Sequence, residues 1–235
     1  MNSFEETFNI LARFPKTDHP FILKESELES IKAYESLIGK LNLKKSKTNC
    51  KTITITSERP EQGKSTVLFN LAKRCSENGM KVLIINGDIQ GADSIENFLK
   101  IENSPGLGEW LGSRIPLNKL IKTTPILNLY MLTSGNKDFN HLLDSDNFHS
   151  LLEMCKLDYD LIAVDSPPIG FFKNAKIFSL EVDMTLVIAD YEDYIRNSVR
   201  CKKFIDGIKD KFVGIILNKV YDSIQSIWEI CGKPN

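Results

Sequence analysis

Side chains suited to phosphate and metal chemistry stand at the ends of three apolar runs in this chain. Gly63-Lys64-Ser65-Thr66 follows the alternating run Thr52-Ile53-Thr54-Ile55-Thr56 across the short segment Ser57-Glu58-Arg59-Pro60-Glu61-Gln62, and precedes the helical pattern Val67-Leu68-Phe69-Asn70-Leu71. A strand, a tight turn and a helix start around Gly-Lys-Ser make an anion cradle. Backbone N–H groups at the helix N-terminus, aided by its dipole, favour phosphate oxygens. In that setting Lys64 reaches terminal phosphates and the Ser65 hydroxyl is a Mg²⁺ ligand. Asp88 closes a second run, Val82-Leu83-Ile84-Ile85-Asn86-Gly87, and Asp165 closes a third, Leu161-Ile162-Ala163-Val164. A carboxylate at the carboxyl end of a strand beside such a loop can hold Mg²⁺ or its water, or take a proton.

The elements that must position these residues alternate along the chain. After the first core strand come candidate strands at 81–85, 129–132, 161–164, 185–189 and 212–217, with helical patterns at about 67–77, 146–156, 173–181 and 193–209. Apolar strands alternating with helices predict an α/β fold, a doubly wound and mainly parallel sheet covered on both faces. Ligands of such sheets bind beyond the carboxyl ends of the strands, where all three candidate groups fall. Ahead of the first core strand lies an N-terminal helical arm. Phe4, Phe8, Leu11 and Phe14 have an amphipathic spacing, Pro15 and Pro20 break it, and a helix is expected over 27–43. Residues 1–48 are thus assigned to an arm and 49–235 to a P-loop nucleotide-binding domain.

Composition narrows the class of partner. The 31 acidic and 30 basic residues leave a formal charge of −1, so no basic field argues for nucleic acid. Cys50, Cys75, Cys155, Cys201 and Cys231 are widely spaced without a C-x-x-C, and read as reduced thiols of a cytoplasmic protein. Apolar runs such as Val82–Ile85 are too short to span a bilayer, and Glu5 and Glu6 replace the basic start of a signal peptide. Direct membrane insertion is not expected.

The strict G-x-x-x-x-G-K-[ST] pattern fails because Glu58 holds its first Gly position. The form present, Thr-Ser-Glu-x-Pro-x-x-Gly-Lys-Ser-Thr, resembles the bacterial tyrosine kinase family of capsule and exopolysaccharide systems, whose P-loop is of the deviant, MinD/ParA-like kind. Asp165-Ser166-Pro167-Pro168 is similar to the family's D-T-P-P signature, and Asp88 matches the second acid of its D-x-D motif. Leu132–Gly135, Pro105–Leu111 and Phe212–Asn218 resemble three further segments, so that the likeness spans nearly the whole chain. The resemblance implies ATP/ADP and Mg²⁺ as cofactors. Its phosphate cradle is Pro60, Glu61, Gln62, Gly63, Lys64, Ser65 and Thr66, with Asn218 at the adenine. Ser65, Asp88 and Asp165 are its metal ligands, and Lys64 with Asp88 its catalytic groups. It also implies a membrane polysaccharide co-polymerase as partner, holding the protein at the inner face of the plasma membrane.

Four positions depart from that pattern. Glu61 replaces a loop Gly, which removes conformational freedom and adds a carboxylate near the phosphates. Two unit charges ~4 Å apart at an effective dielectric of ~20 repel by about 4 kcal/mol, unless Glu61 points to solvent or pairs with Arg59. Asn86 stands at the place of the first D-x-D acid, the family's presumed base, whose loss costs roughly 10²–10⁴ in rate. The family's charged oligomerisation motif aligns with Lys32, Glu35 and Ile38, so a monomer or small oligomer is expected instead of a ring. A terminal tyrosine cluster is replaced by Tyr221 alone. The expectation is a tyrosine kinase homologue whose catalysis is weakened and whose role is regulatory. Restoring Asn86→Asp with Glu61→Gly is expected to recover turnover. The alternative is a MinD/ParA-type ATPase with a positioning role, in which Arg59 occupies the place of a second lysine.

Overall fold

The computed structural model describes residues 9–15, 28–43, 51–88, 95–113, 115–136, 141–169, 174–190 and 199–220. Eight strands among them form one sheet: β1 (Ile10–Pro15), β2 (Thr52–Ser57), β3 (Val82–Asn86), β4 (Lys122–Thr123), β5 (Leu129–Leu132), β6 (Leu161–Asp165), β7 (Met184–Asp190) and β8 (Phe212–Val220). Their order is β1-β8-β7-β2-β6-β3-β5-β4, parallel throughout except where β4 meets β5.

The alternating Thr and Ile of β2 read locally as a strand with one polar face, yet all six residues are buried. Its central place between β7 and β6 explains this. The hydroxyl of Thr54 donates to the Val164 carbonyl at 2.8 Å and that of Thr56 to the Pro167 carbonyl at 3.1 Å, so the polar face is satisfied inside the protein.

Helices cover both faces. On one, α1 (Leu28–Lys40) and α2 (Lys64–Glu77) bury Leu37, Val67, Phe69 and Leu71 against Ile53, Ile55 and Ile188. On the other, α4 (Leu107–Ser113), α5 (Ser145–Lys156) and α6 (Asn174–Glu181) bury Trp110, Phe148, Leu151 and Phe178 against Leu83, Ile85, Ile162 and Val164. Full burial of side chains of this size contributes about 1.5–3 kcal/mol each. The short α3 (Ile95–Leu99) follows β3 in the chain, and α7 (Val199–Gly207) lies between β7 and β8.

The amphipathic spacing of the N-terminal arm covers a strand, not a helix, over its described part. Leu11 and Phe14 are buried because β1 pairs with β8 at the sheet edge. The α1 helix then packs Tyr34 on Phe14 with ring centroids 4.2 Å apart, and Lys40 Nζ donates to the Leu11 carbonyl at 2.6 Å. A periodicity of three or four residues therefore misled, since half of it came from residues of a strand whose partner, β8, lies near the other end of the chain. Phe4, Phe8, Tyr221 and the start of the helix expected at 193 lie outside the described residues.

Candidate functional site

The loop from Ser57 to Gly63 joins β2 to α2, and its own side chains shape it. Ser57 Oγ donates to the Arg59 carbonyl at 2.6 Å, and the Arg59 N–H donates to Gln62 Oε1 at 3.0 Å. The end of β8 pins it from the side. Asn218 Nδ2 donates to the Gln62 carbonyl at 3.0 Å. Lys219 Nζ reaches the Glu61 carbonyl at 3.1 Å while paired with Asp190 at 3.0 Å.

Gly63 is required on two counts. It has φ 93°, and a Cβ there would collide with the Asn218 amide. Glu61 has φ 60°, the left-handed region that favours glycine, and its side chain is exposed. Of the two costs expected from Glu61, backbone strain is thus present and the charge is solvated. Pro60 is exposed, and Ser65 and Thr66 are half-buried at the first turn of α2.

Lys64 is buried, and its Nζ lies 3.7 Å from Asp88 Oδ2. Asp165, at the end of β6, is also buried. Its carboxylate takes a hydrogen bond from Ser65 and feels the Lys64 charge, but burial dominates and pushes its pKa up to about 7. Asp165 Oδ1 has no hydrogen-bond partner among the described residues. Asn86 is its register partner on β3. The Asn86 carbonyl oxygen accepts from the Asp88 N–H at 2.9 Å and its amide donates to Glu96 Oε1 at 2.6 Å.

The fold therefore brings Lys64, Ser65, Asp88, Asp165 and Asn86 to one place beyond the ends of β2, β3 and β6. Asn218 stands beside them on the β8 side, with its amide nitrogen engaged by the loop. Glu96, on α3, is the residue that sequence reasoning missed. It is 1 % exposed, and Oε2 is buried without a hydrogen-bond partner among the described residues. Nothing in its spacing separates it from an ordinary solvated helix charge. The other segments singled out are supports: the Gly106 N–H donates to Glu109 Oε2 at 2.7 Å and the Asn136 N–H to Glu109 Oε1 at 3.3 Å, which anchors the start of α4 to the end of β5. The Pro167 carbonyl and the Ile169 N–H, which donates to the Ser57 carbonyl at 2.8 Å, tie the Ser-Pro-Pro segment to the base of the loop.

These residues fit a magnesium–nucleotide. A buried carboxylate with an orphaned oxygen beside a serine hydroxyl is a hard-oxygen donor set, and the lysine and helix start supply the positive field for phosphates.

Residues 50–212 match the family model described as an AAA domain. The chain is 32 % identical over 207 residues to the tyrosine-protein kinase CpsD of Streptococcus pneumoniae serotype 4, covering 86 % of this chain and 91 % of that protein. Among solved structures, the kinase domain of the Escherichia coli tyrosine kinase ETK superposes with a TM-score of 0.80 at 23 % identity, over 94 % of this chain and 93 % of that one. The septum site-determining protein MinD of Pyrococcus horikoshii, complexed with Mg-ADP, does so with a TM-score of 0.61 at 23 % identity, over 78 % of each. At that identity the two structures establish the shared fold. With its sheet, its loop and its relatives in agreement, the chain belongs to the CpsD/CapB-like family of bacterial tyrosine-protein kinases, P-loop proteins with an AAA domain.

Proposed function

We propose that this protein binds ATP and ADP with Mg²⁺ at the Gly63–Thr66 loop and serves capsule or exopolysaccharide production as a catalytically weakened regulatory homologue of the tyrosine kinases. The observation that carries the reading is a split one. Lys64, Ser65 and Asp165 converge as phosphate and metal groups, while the adjacent strand end carries an amide whose two ends are both engaged. Binding needs the first set, and proton removal from a tyrosine needs a base.

In this reading the α2 N-terminus and Lys64 orient the β- and γ-phosphates, Ser65 and Asp165 hold the metal, and Asp88 completes its surroundings beside Lys64. Asn218, whose amide nitrogen already holds the loop, borders the base end. The bound magnesium–ATP supplies the transferable phosphoryl group. Asn86 offers a tyrosine hydroxyl no base, because an amide oxygen does not take up a proton near neutral pH; its oxygen is held by the Asp88 N–H and its nitrogen donates to Glu96. Transfer is therefore slow, though positioning and charge still contribute. A membrane polysaccharide co-polymerase is the partner proposed, which would hold the protein at the inner face of the plasma membrane; no helix among the described residues is long and apolar enough to cross a membrane.

The MinD/ParA-type reading has the shared fold in its favour, but the Arg59 that takes the place of a second lysine is exposed. Two measurements test the proposal. Calorimetric titration of MgADP and MgATP into wild-type protein is expected to show binding that Lys64→Met abolishes. Mass spectrometry after incubation with MgATP is expected to find little or no phosphotyrosine. Robust phosphorylation that depends on Lys64 would make this a working kinase, and binding that survives Lys64→Met would put the nucleotide elsewhere.

A further inference from the structure

We propose that Glu96 is a positioning residue of the nucleotide site, coupled to Asn86 as an amide–carboxylate pair in which the negative charge must sit on one partner only. The nucleotide part of this inference rests on the function proposed above; the coupling itself does not.

The hydrogen bonds fix the roles. The Asp88 N–H can only donate, so the Asn86 atom it meets at 2.9 Å is the carbonyl oxygen. The Asn86 nitrogen then points to Glu96 Oε1 at 2.6 Å, and a carboxylate oxygen is the acceptor it needs. Both residues are buried, Asn86 at 3 % and Glu96 at 1 % exposure, so water does not substitute for either partner. The Ser134 N–H approaches the same Glu96 oxygen at 3.4 Å, a long and weak contact, and Oε2 is left without a hydrogen-bond partner among the described residues. Burying a carboxylate whose second oxygen has no partner among the described residues is costly.

The pair has a function if it sets the turn that follows β3. By holding the Asn86 amide, Glu96 aims the carbonyl at the Asp88 N–H, and that turn brings Asp88 within 3.7 Å of Lys64. The consequence concerns position 86. An aspartate there would keep the bond to the Asp88 N–H, but its second oxygen would face Glu96 Oε1 with no hydrogen between them. Two like charges in a buried contact repel strongly, and the contact that sets the turn is lost. An acid at 86 is compatible with the site only when 96 becomes a donor. Asn86→Asp with Glu96→Gln rebuilds the same bond with the charge exchanged.

The test is a double-mutant cycle on the full chain with wild type, N86D, E96Q and N86D/E96Q. Two readouts are needed: the thermal midpoint without nucleotide, and the Mg²⁺ concentration that half-saturates binding of fluorescent ADP. N86D alone is expected to lower the midpoint and weaken MgADP binding by about tenfold or more, as expected for a buried charge without a partner. N86D/E96Q is expected to return both readouts to near wild type. The Mg²⁺ readout separates positioning from mere packing, because a structural contact would move the midpoint alone. Effects of the two substitutions that simply add would overturn the coupling, as would a harmless N86D. If N86D does not fold, the double variant decides: a folded N86D/E96Q supports the exchange and an unfolded one overturns it. If wild type itself fails to bind MgADP, the functional reading falls, while the thermal cycle still judges the pair.

Discussion

Asn86 and Asp165 face each other as register partners at the ends of the adjacent parallel strands β3 and β6. Of this pair of strand ends one is a buried carboxylate and the other an amide. Burial raises the pKa of Asp165 from 3.8 to about 7.

Asp165→Asn is expected to stabilise the nucleotide-free protein while abolishing Mg²⁺-dependent nucleotide binding. Each pKa unit is worth about 1.4 kcal/mol, so the rise to about 7 marks a gain of a few kcal/mol when the charge is removed at neutral pH. The sign in pH follows from proton counting. Between about 4 and about 7 the folded protein holds a proton on Asp165 that the unfolded chain has lost, so wild-type stability falls as pH rises through that window and levels off above it. Urea unfolding at pH 5 and pH 8 without nucleotide checks this: the difference between Asp165→Asn and wild type should be larger at pH 8. An equal difference at both pH values would mean that the carboxylate is ionised throughout.

Glu61→Gly is expected to raise stability by roughly 1 kcal/mol, since a non-glycine residue in the left-handed region costs about 1–2 kcal/mol. Nucleotide binding should tighten in parallel, because the strain is stored in the loop that cradles the phosphates. The exposed carboxylate adds only a screened charge term, which shrinks further in high salt. Glu61→Ala separates the two causes. Alanine removes the charge and keeps the strain, so it should recover little of the gain. An alanine variant as good as the glycine one would assign the effect to charge.

Much of the site was legible in the sequence because its chemistry is local. Gly63, Lys64 and Ser65 are consecutive, Asp165 closes a run of four apolar residues, and strand ends of one parallel sheet meet by topology. Glu61 announced its strain by standing where a loop needs glycine. Glu96 was not legible, because its role depends on which atom of Asn86 faces it, and that is decided by an N–H two residues further on. The strand character of Ile10–Pro15 was hidden for a similar reason: its partner β8 lies at the other end of the chain. The restoration expected from Asn86→Asp with Glu61→Gly is changed by the same finding. With Glu96 in contact, an acid at 86 calls for Glu96→Gln as a third substitution.

The arm helix bears on assembly. The resemblance implies a charged oligomerisation motif on this helix, acidic at its first position and basic at the next two, and here the three positions fall on Lys32, Glu35 and Ile38. Lys32 and Glu35 are exposed, with charges in the reverse order, whereas Ile38 is 2 % exposed and packs in the core cluster with Leu37 and Tyr34. A residue spent on the core is unavailable to a neighbouring subunit, so the missing charge cannot be supplied without disturbing the fold. Light scattering at micromolar concentration should report a monomer or a small oligomer. Ile38→Arg, which restores a charge at that position, should destabilise the protein by roughly 2–5 kcal/mol instead of promoting a ring, as for other losses of a buried aliphatic side chain. A stable octamer of wild type, or a ring gained on Ile38→Arg without loss of stability, would show that assembly uses this helix after all.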